Sequence, residues 1–353
     1  MSSLTGGLGF PISPRPAAGM RPAVGPLARG AKEANVSVQS PSPTRLAMLR
    51  LRENRLFVVA CAMFGTILLL TMSAPLFEQH WAGRTAQEQN LSGKATIGGK
   101  QIEAVKLDGR PNIGPGFHRE YMLGSDALGR DVFMRALRGG RVSLLAGFGA
   151  AFIGMFGAII LGTVAAYKRG RWDTVISRWA DFMMSFPSLL LLVAMSTALA
   201  TRDIGPIERG SLPLLVMILG FGAIPAMTRI VRSLVLGLTE KEFVEAALAL
   251  GGSDSRVMFR HMLPNISNAL VTYFGLMVAG MIIAEAGLSF LGVGILPPGL
   301  SWGTGIGDGS VYAMVAGWVV LVPGAFVMAT ALSVNLIVMG IEEAFDPKQL
   351  GGK

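Results

Sequence analysis

Residues 245–265 read "EAALALGGSDSRVMFRHMLPN", the most polar stretch in the second half of a chain otherwise built from apolar segments. Just upstream, Thr239 and, three residues on, Glu242 have the spacing of a capping box, which predicts a helix from about Glu240. Gly251 and Gly252 would end it. At about 100° per residue, Phe243, Ala247 and Leu250 share one face, with Glu245 nearly opposite. A second short helix is expected from about Asp254 to Met262, stopped by Pro264, whose ring cannot continue it. The product is a glycine-broken helical knuckle between two long apolar runs. Such a knuckle either lies as an amphipathic pair on a lipid surface or fits a groove on a partner protein.

Working outward, composition decides the class. Of 353 residues 51% are hydrophobic and only 15% charged, and the mean hydropathy of +0.53 is that of a membrane protein. The net charge of +9 does not indicate nucleic acid, because the basic residues sit near the ends of apolar runs without a stripe of interleaved aromatics. Six stretches can cross about 30 Å of hydrocarbon at about 1.5 Å per residue. They are approximately 56–77, 142–167, 182–200, 213–234, 266–292 and 314–340. The expected fold is therefore all-α and polytopic, with six transmembrane helices. Residues 1–44, rich in Pro, Gly, Ser and Ala, read as a disordered tail. The first helix takes 45–77, an outer loop 78–141, and a five-helix core 142–347 that includes the 235–265 loop. The first apolar run starts too far from the N-terminus for a signal peptide, so it should remain as a helix.

Lys168, Arg169, Arg171 and Arg178 in a turn after the second span, and Arg45, Arg50, Arg52 and Arg55 before the first, put both regions in the cytoplasm. Alternation then puts the N-terminus, the knuckle and the C-terminus there too. Within the outer loop, Gly98-Gly99 between partly alternating runs fits either a β-hairpin or an irregular solvated loop. Ala150, Gly154, Ala158, Gly162 and Ala166 recur every fourth residue of the second span, a small-residue strip suited to close helix packing.

The knuckle also carries a resemblance. "EAALALGG…HMLP" matches E-A-A-x₃-G-x₉-I-x-L-P at Glu245, Ala246, Ala247, Gly251, Leu263 and Pro264, with His261 in place of isoleucine. It is similar to the loop signature of membrane subunits of binding-protein-dependent ABC importers. "HMLPN" resembles the branch that imports dipeptides, oligopeptides and nickel. "LGSDALGRDVF", "DFMMSFPSLLL" and "AEAGLSFLGVGILPPGLSWG" resemble further stretches of that branch, so the likeness covers about residues 50–347. Near the C-terminus the family's polar run is replaced by "NLIVMGIEE", with Val338, Met339, Ile341 and Glu342.

The resemblance implies a permease of the bacterial inner membrane that pairs with a second, homologous permease to form the pathway for peptides, or for nickel or another small solute. Two ATPase subunits would dock on the knuckle, holding ATP and Mg, and an extracytoplasmic solute-binding protein would deliver substrate. In that setting Glu245 would bond polar groups of the ATPase, Ala246 and Ala247 would permit close approach, Gly251 would make the bend, and Pro264 would fix the entry into the fifth span. Consistent with separate ATPases, the chain lacks G-x₄-G-K-[ST]: Gly93-Lys94 is followed by Ala95 and Gly99-Lys100 by Gln101. No cofactor is expected in this chain. His80, His118 and His261 lack metal-ligand spacing.

Two other chemistries compete. "GIGDGS" at 305–310 contains the G-x-G-D of intramembrane aspartyl proteases, which need a second aspartate; only Asp181 offers itself to Asp308, expected in a loop. Glu285 is the one acid well inside an apolar span, where it should face the bundle interior. It would serve as the proton site of a stand-alone secondary transporter or as a structural hydrogen-bonding group in a permease. A scaffold that transports nothing is the remaining alternative.

Overall fold

The computed structural model of the protein describes residues 43–83, 85–97, 99–116, 121–199 and 206–345. The tail as far as residue 42, Gly98, His118 and the residues from 346 onward lie outside them, and the last two residues of the expected tail open a helix.

Helix α1 (Pro43–Glu53) leads into α2 (Arg55–Met72), which is capped by Asn54: its Oδ1 accepts from the Phe57 N–H at 3.1 Å. After a break at Ser73, α3 (Ala74–Phe77) follows with Pro75 in its first turn. The open choice in the next segment falls to a hairpin. β1 (Lys94–Ile97) and β2 (Lys100–Glu103) pair antiparallel with Ala95 opposite Ile102, and Gly99 takes a positive φ of 79° in the turn. Ala95, Ala104, Val105, Ile113 and Tyr121 form a small buried cluster of its own beneath it.

Helix α4 (Val132–Lys168) is 37 residues long and starts ten residues earlier than the apolar run suggests. Arg135, Arg138 and Arg141 hide this extension from a hydropathy reading, but Asp131 caps it, its Oδ1 accepting from Phe133 and Met134 N–H at 2.8 and 3.1 Å. The expected turn at 167–181 is a correction: only Arg169 and Gly170 turn, and a second helix, α5 (Gly170–Met184), begins at once. It bends by 88° into α6 (Ser188–Leu199) around Pro187. Helix α7 (Leu212–Thr239) carries Pro225 inside it.

The α4–α7 contact is the centre of the bundle. Ala150, Ala158 and Ala166 are fully buried. A Cβ on Gly162 would stand 2.9 Å from the Thr228 carbonyl and 3.0 Å from the Arg232 nitrogen, so only glycine lets the backbones approach so closely. The every-fourth-residue strip is therefore the packing face.

The knuckle follows as α8 (Glu242–Ala249), α9 (Asp254–Arg256), a π turn (Val257–Met262) and α10 (Leu263–Asn265). Two expectations fail in detail. Thr239 belongs to the end of α7, where its hydroxyl donates to the Leu236 carbonyl at 2.8 Å, so it caps nothing and α8 starts at Glu242. Pro264 does not stop a helix, because the π turn shifts the hydrogen-bond register and leaves the proline in the first turn of α10, where a missing N–H costs nothing.

Helix α11 (Ser267–Phe290), a short α12 (Trp302–Ser310) and α13 (Trp318–Phe345), with Pro323 inside it, complete the bundle. Helices α2, α4, α7, α11 and α13 are each long and apolar enough to cross a membrane, and the pair α5–α6, bent by 88°, adds a sixth if the two are counted together as one broken span. The protein is thus an all-α membrane bundle.

Candidate functional site

At the knuckle, the sequence divides side chains between anchoring and display. Val244, Val257 and Met262 are buried in the main apolar cluster with Val235, Ala166 and Ile266, and Tyr167, Ala247 and Leu263 pack against it. Above this base, Glu245, Ala246, Leu248 and Leu250 are exposed, Leu250 at 90%. Phe243 and Leu250, expected on an apolar face with Ala247, therefore point away from the bundle, while Ala247 is half-buried.

The bend is built by backbone geometry. Gly251 has φ +78° and donates to the Leu248 carbonyl at 2.9 Å, and Gly252 donates to the Ala247 carbonyl at 3.0 Å, a helix end that favours glycine. A Cβ at Gly251 meets nothing, so the position is constrained by φ alone. His261 is half-buried in the π turn and its carbonyl accepts from Asn265 Nδ2 at 2.6 Å. Pro264 is exposed. Polar ties hold the knuckle to the end of α4: the Tyr167 hydroxyl donates to Asp254 Oδ1 at 3.1 Å, and Arg169 reaches Thr239 at 3.0 Å and Glu240 at 3.7 Å.

At the far end of α4 lies a second constellation. Glu285 is fully buried in α11, where its carboxyl oxygens accept from Ser143 and Ser289 hydroxyls, each at 2.7 Å. Each serine in turn accepts a backbone N–H, Ser143 from Trp302 and Ser289 from Ile295, both at 3.1 Å. The Trp302 indole N–H donates to the Ala136 carbonyl at 2.8 Å. One acid thus joins α4, α11 and the start of α12 through hydrogen bonds.

Beside it, Asp126 folds the 126–131 turn by accepting from Leu128 and Arg130 N–H, both at 2.9 Å. Arg130 bonds Asp126 at 2.6 Å and Asp308 at 3.2 Å; Arg135 bonds Asp308 at 2.6 Å with Asp126 at 3.7 Å. Asp308 is not in a loop but in α12, whose start is closed by a Ser301–Thr304 capping box. Asp181 is paired instead with Arg229 of α7. The two aspartates are held by different arginines and form no dyad, so the protease chemistry falls away.

The 123–131 motif did not reveal these ties, because Asp126 and Arg130 stand in a turn before α4 and Asp308 is far away in sequence. Sequence reasoning missed the anchors Val244, Val257 and Met262 because it placed the apolar face elsewhere. Of the departures near the C-terminus, Val338 is buried against Gly275; the neighbouring Glu343 accepts from Asn54 Nδ2 at 2.9 Å.

A bundle of membrane-crossing helices that projects one rigid, partly apolar knuckle is the architecture of a membrane transport subunit. The chain belongs to the family described as binding-protein-dependent transport system inner membrane component, whose model matches residues 158–350. It is 34% identical over 307 residues to a putative peptide transport system permease protein of Brucella abortus, covering 87% of this chain and 93% of that protein. It is 31% identical over 324 residues to the oligopeptide transport system permease protein OppC of Bacillus subtilis, covering 92% and 96%. It is also 34% identical over 240 residues to the glutathione transport system permease protein GsiD of Escherichia coli, covering 68% and 76%. Among solved structures it is similar to a chain of the inward-facing MetNI methionine ABC transporter, with a TM-score of 0.48 and 19% identity over 59% of this chain and 96% of that one. The protein is a permease subunit of an ABC importer.

Proposed function

We propose that this permease carries peptides, di- or oligopeptides, along a pathway formed with a second homologous permease. Two separate ATPases, which hold the ATP and Mg, dock on the knuckle, and a solute-binding protein delivers substrate at the opposite face. The chain itself performs no catalysis. Its N- and C-termini and the knuckle lie in the cytoplasm, in keeping with the basic residues at 168–178. The hairpin segment at 94–114 is a contact for the binding protein.

One observation carries the docking reading: α8 is anchored by Val244 yet leaves Phe243, Glu245, Leu248 and Leu250 exposed on a helix whose end is fixed by Gly251. An apolar face held rigidly away from its own bundle suits a groove on a partner, with Glu245 meeting polar groups and Ala246 allowing close approach. ATP-driven closure of the ATPases would move the knuckle as a unit and rock the spans. The peptide reading rests on the relatives named above.

The test is a mild-detergent pull-down of the tagged chain, wild type and Gly251→Arg, with identification of what co-purifies. A second permease and ATPases should accompany the wild type, and the ATPases should be lost from the variant, which pays roughly 1 kcal/mol of backbone strain and still inserts. Recovery of the ATPases with both would sink the docking role. Recovery of the chain alone in both would favour a stand-alone transporter.

A further inference from the structure

Helix α5 carries a surface that the transport reading does not use. Around it the side chains sort by chemistry. Ile176 and Ala180 face the bundle and are buried. On the next flank both acids are consumed by α7: Asp173 accepts from Arg232 Nε and Nη2 at 2.5 and 2.7 Å, and Asp181 pairs with Arg229. Trp172, Val175, Trp179 and Phe182 recur at spacings of three and four, which puts them on one stripe of α5, and Phe186 follows in the bend beyond it. Trp172, Val175 and Phe182 each expose more than half of their surface; Trp179 meets the Phe221 ring at 5.9 Å, and Phe182 meets only Phe186, edge to face at 5.4 Å. Beside the stripe stand Arg171 and Arg178, seven residues apart, exposed and without an acidic partner among the described residues. The acids are paired with α7 and the cations are left without an acid.

The course of the chain fits the same picture. Asp173 and Asp181, about 12 Å apart along α5, land on α7 arginines about 4.5 Å apart along that helix, so α5 crosses α7. Helix α6 instead follows α7, with Leu192 against Gly222 and Ser196 beside Leu215 and Ile218. At about 1.5 Å per residue α6 is about 18 Å long, well short of the ~30 Å hydrocarbon core. Seating α5 about 5–10 Å into the headgroup boundary would shorten the distance left to cross.

We infer that α5 is an in-plane anchor whose aromatic stripe sits among acyl chains while Arg171 and Arg178 grip the headgroups of anionic phospholipids. A bare apolar stripe would suit another protein equally, but a free basic flank along its edge is the complement of an anionic lipid surface. The inference depends on membrane residence alone, not on cargo or on ATPase docking, so the pull-down above can fail without touching it.

The test uses the full chain, with whatever partners co-purify, in nanodiscs of phosphatidylglycerol or phosphatidylcholine. The tryptophan emission lost in Trp172→Phe isolates this side chain. It should be quenched by lipid brominated near the top of the acyl chain and spared by acrylamide. Phosphatidylglycerol retained from a mixed bilayer should fall roughly fivefold for each of Arg171→Gln and Arg178→Gln at low salt. Trp172 shielded from both quenchers would mean that protein, a second permease or a second copy, covers the stripe, and quenching by acrylamide alone would mean that water does; either overturns the anchor. Retention of the anionic lipid unchanged in both arginine variants overturns the headgroup grip.

Discussion

The two ends of α4 hold their neighbours by opposite means. At the far end, polar groups tie elements side chain to side chain: Glu285 with Ser143 and Ser289, Arg130 and Arg135 with Asp126 and Asp308. At the knuckle, three apolar anchors sit beneath a largely exposed pair of short helices, and the polar ties are few and near water. Directional bonds fix one arrangement at the far end, since each buried partner left alone is costly. Apolar anchoring fixes position at the knuckle while leaving a whole face free. The permease is built stiff where it must keep its own parts together and open where the knuckle displays a free face.

The sharpest way to break this contrast is at Glu285. Glu285→Ala strands two serine hydroxyls and leaves a cavity, and should cost about 3 kcal/mol, read as a lowered unfolding temperature of the detergent-solubilised protein. Glu285→Gln, which can still bond both serines, should stay within about 1 kcal/mol and keep transport. A transport-dead, fully stable Glu285→Gln would return the proton-site reading. Asp308→Ala leaves the largely buried Arg135 with only Asp126 at 3.7 Å and should cost about 2 kcal/mol, discounted because Asp308 itself is half-exposed. The smallest stability effects belong to the knuckle, where the two faces of α8 should separate. Val244→Ala should lose about 1–2 kcal/mol and Leu250→Ala less than about 0.5, yet only Leu250→Ala should weaken ATPase recovery in the pull-down. If the two variants behave alike, anchoring and display are not divided as described.

Hydropathy made the bundle legible, and the E-A-A…G signature made the knuckle legible, because both are local patterns. What escaped was non-local. Capping by Thr239 was a fair local inference, but α7 had packing enough to run through that residue and take its hydroxyl. The first ten residues of α4 carry three arginines, and only the tertiary partners Asp126 and Asp308 explain how Arg135 can be buried. The placement of Glu285 in the interior was readable from the cost of leaving it in lipid; its serine partners, one 142 residues away, were not. Pro264 misled because proline breaks a helix only in its interior, and the π turn before it leaves it in the first turn of α10.

Helix α4 rises about 55 Å at about 1.5 Å per residue, against about 40–45 Å for a bilayer with its headgroups. It therefore reaches past the lipid on at least one side. It is also without an internal proline, whereas α7 and α13 carry Pro225 and Pro323 and can absorb strain by kinking. A tilt of about 5° imposed at the Tyr167 end would displace the Asp131 end by ~5 Å over that length. The molecule thus contains its own pointer, which magnifies a small rotation on one side of the membrane into a displacement as large as a side chain on the other.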